Sequence, residues 1–172
     1  TTEAVDKMQA CNCIKITGGK LKGYNTDVTG FEKSLLPLLT KEHKKALILG
    51  TGGAAAAVEF VLERLGIDYL FVSRSKSNQQ DQITYAEVSK NIIQEYNLII
   101  NTTPLGMYPA VAGCPEIPYQ YLSANHYLFD LVYNPAETLF LKRGAERGAI
   151  IKNGADMLAI QADESWKIWN ED

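Results

Sequence analysis

The sequence predicts a doubly wound α/β fold: a mostly parallel sheet with helices on both faces, preceded by a hairpin belonging to a second domain. Three observations carry this. Five short runs, ALILG (46–50), YLFVS (69–73), NLIIN (97–101), YLFDL (127–131) and AIIK (149–152), are almost wholly apolar, as strands covered on both faces are. Segments with helical periodicity lie between them, and such alternation produces right-handed parallel crossovers. The first connection is a glycine-rich turn, GTGGAA, set between a strand and a helix.

Taken in order, residues 3–10 suit a short helix, and CIKI and LKGY flank a Gly18-Gly19 turn as the arms of a hairpin. From 28 to 39, Phe31, Leu35, Leu36 and Leu39 fall three and four apart, which predicts an amphipathic helix ending near Pro37. The charged break KEHKK leads into the alternating region, with helices expected over 53–65, around 84–95, over 136–147 and over 154–170.

Composition narrows the partners. The 172 residues are 46% hydrophobic with a net charge of −3 and no basic stripe, which argues against nucleic acid and anionic membranes. No apolar run approaches the roughly 20 residues that span a bilayer, so a cytoplasmic protein acting on a small molecule is expected. Cys11, Cys13 and Cys114 have no companion cluster that would complete a zinc site, and no metal or disulfide is expected.

In the turn, Gly50, Gly52 and Ala55 form G-x-G-x-x-A: a tight turn, room for a pyrophosphate against the backbone, and close strand–helix packing. With Thr51, Gly53 and Ala54 they give a Rossmann-like phosphate loop, the helix N-terminus attracting the anion. A nicotinamide site for NAD usually has an acid at the end of the next strand. Here Ser73, Arg74, Ser75 and Lys76 stand there instead, a set suited to the 2′-phosphate of NADP, though a solvated loop has the same composition. Asn101, Thr102 and Thr103 end the third run before Pro104, where they either face a ligand or cap the strand.

The stretch KGYNTDVTGF leaves Asp27 open to two readings, a helix cap or a carboxylate placed for chemistry; Thr26 is a cap that would free it. Gln161 lies one turn after Met157, on a face that serves helix packing or solvent equally well. Tyr133, followed by Asn134-Pro135, anchors a turn or lines a site, and Trp166 and Trp169 read as packing residues.

Six motifs in series resemble the shikimate dehydrogenase family: N-T-D-x-x-G at 25–30, GTGGAA, S-R-S, INTTPLGM, DLVYNPAETLFL with RGAERG, and NGADMLAIQA. The resemblance implies NADP-dependent interconversion of 3-dehydroshikimate and shikimate in aromatic amino-acid biosynthesis. It implies a catalytic-site role for Asp27, substrate contacts from Asn12, Gln161 and Tyr133, a 2′-phosphate clamp at Arg74, and Gly154 and Met157 beside the nicotinamide. It further implies three units, residues 1–26 at the edge of a substrate-binding domain, 27–153 as the NADP-binding domain and 154–172 as a helix returning to the first; cut off from that first domain, the hairpin and the helices 28–39 and 154–170 are expected to lose apolar cover and to drive self-association. It also implies a catalytic lysine upstream of the position of Asn12, which these residues do not include; Lys7 and Lys15 stand outside its motif, so this chain alone is expected to be inactive. Quinate/shikimate dehydrogenases using NAD, and a non-catalytic nucleotide-binding domain on the same fold, remain the alternatives.

Overall fold

The five apolar runs become five parallel strands of one sheet in the computed structural model, which describes residues 1–171. The chain begins with α1 (Glu3–Met8), then β1 (Cys13–Thr17) and β2 (Lys20–Tyr24), which pair antiparallel about Gly18 and Gly19. Next come α2 (Thr26–Leu35), β3 (Lys45–Leu49), α3 (Gly53–Arg64), β4 (Asp68–Ser73), β5 (Gln82–Thr84), α4 (Lys90–Glu95) and β6 (Leu98–Asn101). The remainder is β7 (Tyr127–Asp130), α5 (Leu139–Ala145), β8 (Ile150–Lys152) and α6 (Ala155–Asn170). The sheet order is β5-β4-β3-β6-β7-β8. From β3 the chain winds outward through β4 and β5, then crosses back to β6, so a topological switch point opens beyond the ends of β3 and β6.

The two faces of β3, β6 and β7 feed two cores, which is why the middles of those runs are apolar. Ile48, Ile100 and Phe129 pack with Phe31 and Leu35 of α2 and Val58, Val61 and Leu62 of α3. Leu47, Leu49, Ile99 and Leu128 pack with Ile93, Phe140 and Leu141. Each such side chain contributes about 1.5 to 3 kcal/mol by leaving water.

Three expected elements differ in extent. The helix expected around 84–95 divides: β5 ends at Thr84, a single 3-10 turn (Tyr85–Glu87) follows within a Thr84–Glu87 capping box, and Ser89 then caps α4. Local side-chain caps break the pattern into two starts. The helix expected over 136–147 begins only at Leu139, because the Thr138 hydroxyl accepts from the Leu141 amide and caps it. The helix expected over 28–39 starts two residues earlier and tightens into a 3-10 turn at Leu36–Leu38, where Pro37 enters.

The long final helix docks across α2 through Gly30. A methyl group at that position would lie 2.7 Å from Gln161 Cγ and 2.8 Å from the Met157 carbonyl oxygen, too close for any side chain. Val28, Phe31 and Leu35 are buried, Phe31 and Leu35 in the core on one face of the sheet, while Leu36 and Leu38 of the same segment are exposed, as are Ile14, Ile16 and Leu21 of the hairpin and Trp166 and Trp169 at the end of α6. Trp169 Nε1 donates to the Ile14 carbonyl at 3.1 Å and joins α6 to the hairpin. Residues 3–8, assigned from sequence to the substrate-binding domain, pack on the α/β unit: Ala4 and Met8 lie against the core beside α3, and Lys7 pairs with Glu63. Among the described residues no helix is long and apolar enough to cross a membrane.

Candidate active site

The cleft at the switch point is shaped first by Gly50. It leaves β3 with φ +104°, and a Cβ there would sit 2.8 Å from Thr103 Cγ2 and 2.9 Å from Thr102 Oγ1. Only glycine fits, in conformation and in space. Gly52 then opens α3 with no side-chain cap and no acid in the first turn, so the helix's first amides and the positive end of its dipole face outward. A Cβ at Gly52 or Gly53 would meet nothing within 4 Å, so the space ahead of those amides is open.

Gly50–Gly52, Ser73–Ser75, Tyr85 and Thr102–Leu105 enclose a cleft of about 400 Å³. A second hollow, about 510 Å³, lies across the turn against Thr51, Ala55, Lys76 and Gln82. Ser73 Oγ donates to the Ser75 carbonyl at 2.6 Å and accepts from Gln82 Nε2 at 2.7 Å, which pins the loop. Arg74, between them, is exposed and makes no ion pair among the described residues. Uncapped amides, an unpaired guanidinium and no acid at the end of β4 form a donor set that fits a dinucleotide with an additional phosphate.

A second group of polar residues forms where β1, α2 and α6 meet. Asn25, not Thr26 or Asp27, caps α2: its Oδ1 accepts from the Asp27 amide at 3.0 Å. The Asp27 carboxylate is therefore free of capping. Its Oδ1 accepts from Asn12 Nδ2 at 3.0 Å and from Gln161 Nε2 at 2.7 Å. Asn12 is held in turn by the Thr26 amide, which donates to its Oδ1 at 2.8 Å. Asp27 Oδ2 has no partner among the described residues, which leaves an acceptor for an incoming hydroxyl. Burial raises the proton affinity of this carboxyl above the usual range, and the Asn12 hydrogen bond opposes the rise in part.

The other expected residues fall into two sets. Tyr133, half exposed on the loop after β7, lines a hollow of about 420 Å³ with Ala54, Thr102, Thr103, Met107 and Leu131. That hollow shares the Thr102-Thr103 wall with the cleft. Asn101 lies beneath: it is fully buried, its Nδ2 donates to Asp130 and its Oδ1 accepts from Thr103, so it holds the strand end. Gly154 and Met157 are buried and line neither space. A Cβ on Gly154 would lie 2.0 Å from the Leu131 carbonyl oxygen, and Met157 packs on Gly30. Sequence reasoning missed Tyr85 and Leu105 in the cleft wall, and also Asp130 and Thr138 beneath it; the one available signal was an acid ending the apolar run YLFD.

No protein-family model matches the chain. Shikimate dehydrogenase (NADP(+)) of Caldanaerobacter subterraneus subsp. tengcongensis is 35% identical over 98% of this chain. The chain is similar to shikimate dehydrogenases along nearly its whole length. It spans 65% of the length of that relative and 64% of the shikimate dehydrogenase (NADP(+)) of Methanosphaera stadtmanae, to which it is 36% identical. Its fold matches the chorismate mutase/shikimate 5-dehydrogenase fusion protein of Clostridium acetobutylicum with a TM-score of 0.87 at 34% identity, over 99% of this chain and 64% of that one. It also matches the shikimate 5-dehydrogenase of Thermus thermophilus, solved with NADP(H) and shikimate, with a TM-score of 0.83 at 27% identity, over 98% and 65% of the two chains.

Proposed function

We propose that this chain carries the NADP site and part of the substrate site of a shikimate dehydrogenase, which reversibly reduces 3-dehydroshikimate to shikimate. The observation that carries the reading is the convergence of Asn12 and Gln161 on one oxygen of Asp27 while the other stays free. The names of the relatives support it. When bound, the cofactor supplies or takes the hydride. The chain's residues do the rest. The amides of Thr51, Gly52, Gly53 and Ala54 hold the pyrophosphate, and Arg74, flanked by Ser73, Ser75 and Lys76, holds the 2′-phosphate. Thr102, Thr103 and Tyr133 wall the space between cofactor and substrate. Asp27 Oδ2 accepts the substrate hydroxyl, and a carboxyl of raised proton affinity is suited to exchanging that proton. Asn12 and Gln161 fix the carboxylate's direction and offer their remaining polar groups to neighbouring hydroxyls. A reaction between a soluble acid and a dinucleotide suits the cytoplasm.

The test is calorimetric titration of the chain, saturated with NADP+, with shikimate and with quinate. Shikimate is expected to saturate and quinate to bind more weakly, and Asp27→Ala is expected to lower shikimate affinity at least tenfold. Quinate binding more tightly, with NAD+ as the better cofactor, would favour the quinate/shikimate branch. No response to either acid would refute the substrate half of the reading. The titration reads binding of each acid directly. The exposed Ile14, Ile16, Leu21, Trp166 and Trp169 support self-association, and light scattering is expected to give a mass above the 19.0 kDa of one copy; a strictly monomeric mass would refute it.

A further inference from the structure

Asp130 ends β7 opposite Asn101, its register partner at the end of β6. Both are fully buried, as is Thr138. Asp130 Oδ1 accepts from Asn101 Nδ2 and from the Val132 amide, each at 3.0 Å, and Oδ2 accepts from Thr138 Oγ1 at 2.6 Å. All three partners are donors. A carboxylate is an acceptor-only group, so it satisfies all three at once, whereas an amide would turn an N–H against one of them. No cation approaches it among the described residues, so burial, opposed by those hydrogen bonds, pushes its pKa up to about 6. Keeping an unpaired carboxylate in a dry interior is costly, and a core that needed only volume would have used leucine.

The three donors lie at the roots of two loops. Asn101 leads into Thr102 and Thr103 and is bonded back by the Thr103 amide and hydroxyl at 3.1 and 2.7 Å. Val132 leads into Tyr133, and Thr138 closes that loop by capping α5. Thr138 also touches the first loop: a Cβ on Gly106 would stand 3.5 Å from Thr138 Cβ. At their tips the loops meet again, where the Tyr108 amide donates to the Asn134 carbonyl at 2.9 Å. Between root and tip both loops line the hollow that carries Thr102, Thr103 and Tyr133.

We propose that Asp130 is a positioning residue: by gathering Asn101, Val132 and Thr138 it fixes the spacing of the two loops, and so the width of the slot that takes the nicotinamide end of the cofactor. The inference rests on the NADP reading, and it assigns the carboxylate to one end of the cofactor only. The adenosine end, held by the glycine turn and Arg74, lies on other elements.

The experiment uses two ligands on the same chain: NADPH, and adenosine 2′,5′-bisphosphate, which has the adenosine and 2′-phosphate but no nicotinamide. Asp130→Asn is expected to weaken NADPH roughly tenfold while the bisphosphate stays within about twofold of wild type. Thr138→Val, which removes one donor and keeps the shape, is expected to shift NADPH in the same direction by a smaller factor, and it serves if Asp130→Asn does not fold. Equal losses for both ligands would mean general destabilisation and overturn the proposal, as would unchanged NADPH affinity in both variants. A wild-type chain that binds neither ligand would remove the NADP reading, and this inference with it.

Discussion

Asp27 and Asp130 are both carboxylates that burial makes easier to protonate, yet their surroundings differ in one respect. At Asp130 both oxygens are taken and every partner is buried. At Asp27 two amides share one oxygen, the other is free, and the partner Asn12 is exposed. Spare hydrogen-bonding capacity at the edge of a fold marks a place where a ligand completes the set. Saturated capacity in the interior marks a group that holds the fold's own loops. The difference separates a binding carboxylate from a positioning one without reference to any relative.

The largest expected effect tests that contrast on stability. Asp130→Ala strands three buried donors at about 1 to 3 kcal/mol each, so denaturant unfolding is expected to show a loss of about 3 to 9 kcal/mol. Asp27→Ala is expected to cost about 1 kcal/mol or less, because its amide partners turn to water, while it removes substrate affinity. Equal losses would erase the distinction.

The next effect depends on pH. The folded pKa of Asp130, about 6, lies above the value of about 3.9 that an aspartate has in an unfolded chain. The native state therefore holds more protons between these values, and unfolding free energy falls as pH rises through them. Wild type is expected to gain about 2 to 3 kcal/mol relative to Asp130→Asn on going from about pH 7 to about pH 4. A pH-independent difference between the two would show that Asp130 titrates normally.

Gly30→Ala follows. The added methyl drives α6 from α2 at a cost of about 1 to 3 kcal/mol and carries Gln161 from Asp27, so shikimate affinity is expected to fall with stability. Retained affinity would mean that the Gln161–Asp27 bond is dispensable.

Much of the architecture was legible because burial on both faces confines the polar residues of β3, β6 and β7 to the strand ends. The edge strand β5 was not, because Gln82, Ile83 and Thr84 are only partly buried and make a strand of just three residues. The glycine turn was legible from its spacing, and at Gly50, with φ +104° and a Cβ position 2.8 Å from Thr103 Cγ2, no other residue fits. At the polar cluster, Asn25, Thr26 and Asp27 are all capable caps, and only the fold shows that Asn25 does that work. Gly154 and Met157 came from resemblance alone; both are buried, Gly154 against the Leu131 carbonyl and Met157 against Gly30. Asp130 escaped notice because a single acid at a strand end looks solvated, and its partners Asn101 and Thr138 come from separate stretches of chain.

The central claim is that the uncapped start of α3 and the guanidinium of Arg74 form one site for a dinucleotide with a 2′-phosphate. Parallel fluorescence titrations of wild type and Arg74→Ala with NADPH and NADH test it. The account predicts tighter NADPH binding by wild type, a loss of roughly tenfold or more for NADPH in the variant, as expected for a charge-assisted hydrogen bond, and unchanged NADH binding. Equal affinity of wild type for the two dinucleotides, or an equal loss for both in Arg74→Ala, would contradict it.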